Sequence, residues 1–134
     1  MVQLLVGKKG SGKTKKMVDM INEAAKTAHG NIVCIEKNMK LTYDIDHSVR
    51  LIDMDEYKIE GYTMLYGFIA GVLAGNYDIQ EVYLDGTMRV TNQDIDGMGD
   101  FLDKLAFLAG DTIHIVVTVS ADETELPEGV VKYI

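Results

Sequence analysis

Short apolar runs alternate along the chain with longer stretches of helical periodicity, and this alternation restricts the fold more than any other feature. The runs are rich in β-branched residues and are apolar throughout, as expected of strands buried on both faces of a sheet. They cover residues 2–6, 32–35, 49–52, 81–84 and 113–119. Such strands, separated by helices, are typical of a parallel sheet that is covered on both faces. The sequence therefore predicts an α/β fold, a three-layer sandwich with a mostly parallel sheet.

Between the runs, apolar residues recur at intervals of three and four. Met17, Met20 and Ile21 follow this spacing and predict a helix over residues 13–28. A largely apolar stretch predicts a second helix over residues 62–74, closed by a glycine. A helix between such strands is what a parallel crossover requires.

The remaining segments carry weaker signals. Asn92 or Asp94 is expected to cap a helix that continues to about residue 109. Residues 130–134 are expected to add a last strand after a proline. For residues 36–47, a hairpin and an irregular loop both remain open.

Polar and glycine residues stand just past the ends of several predicted strands. Ligands of parallel sheets bind at the carboxyl ends of the strands. We therefore expect four positions to converge at that edge: Gly7, Asp53, Asp85 and Ser120.

Length and composition indicate one globular domain over residues 1–134, since 47% of the residues are apolar and 25% are charged. The longest mostly apolar stretch, residues 62–74, is shorter than the roughly 20 residues that cross a bilayer. We therefore expect no membrane span.

Cys34 is the single cysteine and cannot form an internal disulfide, which favours a buried apolar role in a cytoplasmic protein.

The charge of the chain is unevenly distributed. The net charge is −8, yet five of the 13 basic residues fall within nine positions: Lys8, Lys9, Lys13, Lys15 and Lys16. A protein that binds nucleic acid in general carries a broad basic face, so nucleic acid is not indicated here. One local basic cluster on an acidic protein instead indicates a single anion site.

The basic cluster lies in a glycine-rich segment with a known physical use. Residues 7–14 match G-x-x-x-x-G-K-[ST] at each fixed position. Glycines allow the backbone to turn its N–H groups towards phosphate oxygens, and the helix that follows adds its positive end. Lys13 is expected to reach the β- and γ-phosphates, and the Thr14 hydroxyl to ligate Mg²⁺. The predicted binding residues are Gly7, Lys8, Lys9, Gly10, Ser11, Gly12, Lys13, Thr14 and Lys15.

At this motif the chain resembles the P-loop NTPase superfamily. It is similar in particular to small bacterial P-loop ATP-binding proteins that are sometimes labelled "twitching motility protein PilT". The segments Val-Gly-Lys-Lys-Gly-Ser-Gly-Lys-Thr at residues 6–14 and Val-Thr-Val-Ser-Ala-Asp at residues 117–122 carry this likeness. The resemblance implies a P-loop containing nucleoside triphosphate hydrolase fold, with ATP and Mg²⁺ as ligands.

Members of this superfamily carry an aspartate at the end of an apolar strand, which orients Mg²⁺. Asp85 and Asp53 both follow such strands, and we favour Asp85, because other elements separate its strand from the loop. Asp85 is thus predicted, with Thr14, as a metal ligand and, with Lys13, as a catalytic residue. A simple turn that begins at Asp85 is the alternative.

Hydrolysing members generally place a glutamate directly after this aspartate to activate water, but here the position is Gly86. The departure argues against fast hydrolysis. The cluster Asp53, Asp55 and Glu56 is a candidate replacement, or a solvated acidic turn. Thr87 is a candidate for positioning water.

Two further features follow from the resemblance. A polar residue at the end of the strand over residues 113–119 can sense the γ-phosphate, and we expect one of Thr118 and Ser120 to face the site. Arg89 could reach the nucleotide of a neighbouring chain, or could pair with an exposed carboxylate. These alternatives remain open.

The sequence thus predicts binding of a nucleoside triphosphate with Mg²⁺. The guanine-specific N-K-x-D motif is absent, which favours ATP. Hydrolysis is expected to be weak, or to depend on a protein partner or a second copy of the chain. A nucleotide-dependent switch without hydrolysis is the alternative, and a small-molecule or nucleotide kinase is less favoured because arginines are few.

Overall fold

A single sheet of five parallel strands organises the chain, which a computed structural model describes over residues 1–37 and 44–134. The strands are β1 (Val2–Gly7), β2 (Asn31–Glu36), β3 (Arg50–Asp53), β4 (Ile79–Leu84) and β5 (His114–Ser120). Their order in the sheet is β1-β5-β4-β2-β3. Every strand pairing within the described residues is parallel. The predicted α/β class and five of the six predicted strands are confirmed.

Helices connect β1 to β2, β3 to β4 and β4 to β5. Three are long: α1 (Lys13–Thr27), α2 (Gly61–Ala74) and α4 (Met98–Ala109). Two are single turns, α3 (Thr87–Val90) and α5 (Glu128–Val131), and a 3₁₀ turn covers Glu123–Glu125. The helices predicted over residues 13–28 and 62–74 correspond to α1 and α2. In the part of the chain that the structure describes, no helix is long and apolar enough to cross a membrane.

The two faces of the sheet pack against different helices, because side chains alternate along each strand. On one face, strand residues join Met17 and Ile21 of α1 in an apolar cluster: Leu5, Cys34, Tyr83 and Val116. On the other face, strand residues join Leu65 of α2 and Leu105 of α4: Leu4, Val33, Val82 and Val117. Helices therefore cover both faces, and the prediction of a buried Cys34 is confirmed.

The predicted helix start at Asn92 or Asp94 was wrong, because α4 begins at Met98. Asn92 and Gln93 have φ angles of 57° and 58°, which a right-handed helix cannot contain. The short helix α3 ends just before this break. The predicted helix end is confirmed, since α4 stops at Ala109.

The predicted last strand over residues 130–134 was wrong, because this segment begins within the single turn α5. Pro127 precedes the turn, and its carbonyl accepts a hydrogen bond from the Val131 N–H at 3.1 Å. Val130 is fully buried, so the turn packs against the core instead of extending the sheet. The hairpin or loop expected over residues 36–47 falls largely outside the described residues.

We expect Leu105→Ala to lower the free energy of unfolding by about 2–5 kcal/mol, because Leu105 is fully buried under the sheet and its truncation leaves a cavity. Phe107→Ala on the same helix is the control. Phe107 is 87% exposed, so its loss should change stability by at most about 0.5 kcal/mol. Urea denaturation measures both. Equal losses would show that the face assigned to α4 is wrong.

Candidate functional site

A cavity of about 670 Å³ lies at the carboxyl end of the sheet. Its walls come from the loop after β1, the end of β2 and the segments that follow β4 and β5. Parallel strands bring their carboxyl ends to one edge of a sheet, and ligands of such sheets bind there. Of the four positions expected to converge at this edge, Asp85 and Ser120 line the cavity and Gly7 begins its loop.

Strand alternation explains which side chains reach the cavity. Glu36, Asp85 and Thr118 each follow, by two residues, a strand residue that packs against α1. They therefore lie on the face of the sheet that α1 covers, near the start of that helix. Thr118 and Ser120 both line the cavity. The expectation that only one of them would do so was wrong, since residues two apart in a strand face the same side.

The loop over residues 7–14 depends on glycine at three positions. Gly10 and Gly12 have φ angles of 84° and 88°, in the left-handed region that strains other residues. A Cβ atom at Gly7 would clash with Ser11 Oγ, so a side chain there would force the Ser11 hydroxyl to move. The Ser11 N–H donates to Lys8 O at 3.0 Å and closes a turn just before α1.

The loop leaves backbone donors available. Within the described residues, the N–H groups of Gly10 and Gly12 donate to no protein acceptor. The first N–H groups of α1, at Lys13 and Thr14, have no partner within the helix. Free N–H groups at the start of a helix favour an anion.

Five of the nine predicted binding residues line the cavity: Lys8, Lys9, Gly10, Lys13 and Thr14. Gly7, Ser11 and Gly12 shape the loop instead. The Lys15 ammonium lies 3.2 Å from Asp19 in an exposed ion pair on α1, and Lys15 does not line the cavity. The structure thus brings together the central part of the predicted set.

Asp85 is the strand-end aspartate that faces the cavity. It is buried, and its Oδ1 accepts a hydrogen bond from Thr118 Oγ1 at 2.6 Å. Its N–H donates to Ile35 O at 2.9 Å, which ties it to the neighbouring strand β2. These two contacts fix the carboxylate at the end of β4.

The acidic cluster Asp53, Asp55 and Glu56 lies outside the cavity. Asp53 ends the edge strand β3 and does not line the cavity. Asp55 lies 2.5 Å from the Lys37 ammonium in an ion pair. Glu56 is exposed. Of the two strand-end aspartates, the preferred one, Asp85, is therefore the one at the cavity.

Glu36 is a cavity residue that sequence reasoning missed. It ends β2, is 1% exposed and lines the cavity. The strand predicted from the sequence stops one residue earlier, at Ile35. The available signal was the position of Glu36 directly after the apolar run of β2, the same position that Asp85 holds after β4.

Lys8 forms an ion pair with Asp122 at the cavity. Its ammonium lies 3.3 Å from Asp122. This contact helps keep the pKa of Asp122 below its ordinary value, after the hydrogen bonds that Thr124 donates. Because the Lys8 side chain is largely exposed, the pair is screened by water and contributes little to stability.

Lys9, Lys13 and Arg89 are the cavity cations that make no ion pair within the described residues, and Lys13 and Arg89 act on each other. Burial lowers the pKa of Lys13. The negative charge of Asp85 opposes this effect, and the positive charge of Arg89 lowers the pKa further. The charges of α1, β4 and α3 thus act on one another across the cavity.

The backbone at Gly86 accounts in physical terms for the missing glutamate. Its φ angle is 87°, a conformation that favours glycine. A Cβ atom there would lie 3.0 Å from Arg89 Nη2 and 3.2 Å from Lys37 Cβ. This backbone therefore disfavours any side chain directly after Asp85.

Thr87 places a buried hydroxyl at the cavity. The residue is fully buried and lines the cavity, and its Oγ1 is the one buried side-chain polar atom of the described residues without a hydrogen-bond partner. A buried hydroxyl without a hydrogen-bond partner lowers the stability of the fold by about 1–3 kcal/mol. A ligand or water in the cavity would satisfy it.

No model of a known protein family matches this chain, and no curated protein sequence matches it. The functional evidence therefore comes from the residues of the cavity itself.

We expect the pKa of Lys13 to lie below the value of about 10.4 for an ordinary lysine, because its ammonium is partly desolvated. Asp85→Asn should lower this pKa further, since it removes an attractive charge. Arg89→Ala should raise it, since it removes a repulsive one. NMR titration of the lysine Cε resonance measures all three. If the pKa of Lys13 shifts in the same direction in both variants, the charges of Asp85 and Arg89 do not have opposite effects on it.

Proposed function

We propose that this cavity binds a nucleoside triphosphate with Mg²⁺, ATP in preference to GTP, and that the chain hydrolyses it slowly. The proposal rests on one observation: Lys13 and Thr14 of the glycine-rich loop line the same cavity as Asp85. The loop and Asp85 are far apart along the chain, and the parallel sheet brings them to one edge. The resemblance to P-loop NTPases implies the same function and a P-loop fold.

The charges of the cavity suit a polyphosphate with a metal ion. The chain as a whole carries a net charge of −8, yet cations outnumber carboxylates around the cavity. The cations are Lys8, Lys9, Lys13, Lys37 and Arg89, and the carboxylates are Glu36, Asp85, Asp122 and Glu125. The N–H groups of Gly10 and Gly12, which meet no acceptor in the described chain, add neutral donors. A volume of about 670 Å³ is typical of cavities that hold a small ligand.

Thr14 and Asp85 are the residues that would hold Mg²⁺, which would neutralise charge on the phosphates. The Asp85 carboxylate is buried and oriented by Thr118, as a positioned ligand should be. The described residues contain no group of three or more acidic, histidine or cysteine side chains able to hold a metal by themselves. Mg²⁺ commonly binds through one or two protein ligands, substrate phosphates and water, so this donor set fits.

Hydrolysis requires a group that orients the attacking water, and we assign this role to Glu36. Glu36 and Asp85 are the buried carboxylates of the cavity, and Asp85 is assigned to the metal. Asp122 pairs with Lys8, and Glu125 is exposed. A buried carboxylate is held in place by its surroundings and is the better candidate for a positioned base.

In the proposed reaction, water attacks the γ-phosphorus and the bond to the β,γ-bridging oxygen breaks, which releases phosphate and the nucleoside diphosphate. Glu36 accepts a proton from the attacking water. Lys13 and the loop N–H groups stabilise the negative charge on the phosphate oxygens. The buried Thr87 hydroxyl can hydrogen-bond the water.

A nucleotide-dependent switch without hydrolysis is the second candidate. Gly86 favours it, because its backbone conformation and its contact with Arg89 disfavour a glutamate directly after Asp85. Steady phosphate release would support the enzyme, whereas tight binding without release would support the switch. Release that appears only with a protein partner would indicate partner-dependent hydrolysis, and release that requires an added acceptor would indicate a kinase.

We place the activity in the cytoplasm, where the thiol of Cys34 stays reduced.

We expect Lys13→Ala to weaken Mg-ATP binding at least about tenfold, because the ammonium contacts phosphate in the proposed complex. Lys16→Ala is the matched control, since Lys16 lies on the same helix and does not line the cavity. Isothermal titration calorimetry measures both. If the two variants bind Mg-ATP equally well, the loop is not the phosphate site.

We expect Glu36→Gln to slow phosphate release about 100-fold while Mg-ATP affinity is retained, because the amide cannot accept the proton of the water. Asp53→Asn is the control, since Asp53 ends the neighbouring strand β3 and does not line the cavity. A phosphate-release assay measures turnover. Unchanged release from Glu36→Gln would remove Glu36 from the mechanism and leave the binding proposal intact.

A further inference from the structure

Arg89 is a cation of the cavity that the proposed function leaves without a role. It lies on α3, which follows Asp85 and Gly86, whereas Lys13 lies at the start of α1. Both cations line one cavity, and neither forms an ion pair within the described part of the chain. Two cations that face the same cavity repel each other, and an anion between them would remove this repulsion.

The local backbone holds Arg89 close to the cavity. The Arg89 N–H donates to Gly86 O at 3.0 Å, which closes the turn that α3 forms after β4. The guanidinium lies against Gly86, since a Cβ atom at that position would be 3.0 Å from Nη2 and 3.3 Å from Nε. The absence of a side chain at Gly86 is therefore what allows this approach.

The sequence left two alternatives for Arg89: contact with the nucleotide of a neighbouring chain, or pairing with an exposed carboxylate. The position of Arg89 in the structure bears on both. It does not pair with a carboxylate among the described residues, and it lines the cavity of its own chain. Its charge also acts on Lys13, whose pKa it lowers. A planar guanidinium with several N–H donors binds phosphate oxygens in pairs, which a lysine cannot do.

We infer that Arg89 contacts the terminal phosphate of the nucleotide bound in its own chain and makes the site prefer a triphosphate over a diphosphate. The inference rests on the proposed function. Lys13 and the loop hold phosphates from the side of β1, and Arg89 approaches from the side of β4. A diphosphate held by the loop lacks the group that Arg89 contacts.

Calorimetry with Mg-ADP and with a non-hydrolysable Mg-ATP analogue tests this role. We expect Arg89→Ala to weaken binding of the analogue about 10- to 100-fold and to leave ADP affinity nearly unchanged. Arg50→Ala is the matched control, because Arg50 is the only other arginine and begins β3, at the opposite end of the strands. It should change neither affinity.

The outcomes separate the inference from the function on which it rests. If the unaltered chain binds neither nucleotide, the proposed function fails. If it binds both and Arg89→Ala keeps the same preference for the triphosphate, or weakens both nucleotides equally, the role of Arg89 is overturned.

A mixing experiment tests whether the arginine acts within its own chain. Lys13→Ala chains retain Arg89, and Arg89→Ala chains retain the loop. If Arg89 acts within one chain, an equimolar mixture should bind the analogue no better than the Arg89→Ala chains alone do. Recovery of affinity in the mixture would overturn the inference and assign Arg89 to the site of a neighbouring copy.

Discussion

The position of β5 between β1 and β4 is the constraint on which the site depends. Val117 is paired with Leu4 on one side and with Leu84 on the other, so one strand sets the register of both neighbours. The chain segments that follow β1 and β4 therefore leave the sheet at the same edge. Loss of this register would separate the loop from Asp85, even if the loop kept its own conformation.

Electrostatics gives this edge of the sheet a character unlike that of the rest of the molecule. Glu36 and Asp85 are buried carboxylates, which are costly unless they are hydrogen-bonded. Thr118 provides a hydrogen bond for Asp85, and the lysines and Arg89 surround the same cavity. Such concentrations of buried charge are expected where function outweighs stability. The Thr87 hydroxyl, which has no partner among the described residues, fits the same description.

Features encoded in local sequence could be predicted. The strand, the glycine-rich turn and the start of α1 follow one another within a short segment, so spacing alone located the loop. Asp85 could be predicted because it directly follows an apolar run. Glu36 was missed, because the segment after it has no clear pattern and the predicted strand stopped at Ile35.

Features that depend on long-range packing could not be predicted. The order of the strands decides that Asp53 lies at the edge, away from the cavity, while Asp85 lies inside it. The approach of Arg89 to the cavity depends on its packing against Gly86, which no periodicity of the sequence predicts. The break at Asn92 and Gln93 has the same origin, since left-handed backbone at non-glycine residues is set by its surroundings. A crystal structure of the chain with Mg²⁺ and a non-hydrolysable ATP analogue is the most direct test of nucleotide binding at this edge of the sheet. We expect the triphosphate in the cavity, with Lys13 on its phosphates and the metal beside Thr14 and Asp85, whereas a nucleotide bound elsewhere, or a loop that makes no contact with phosphate, would contradict this assignment.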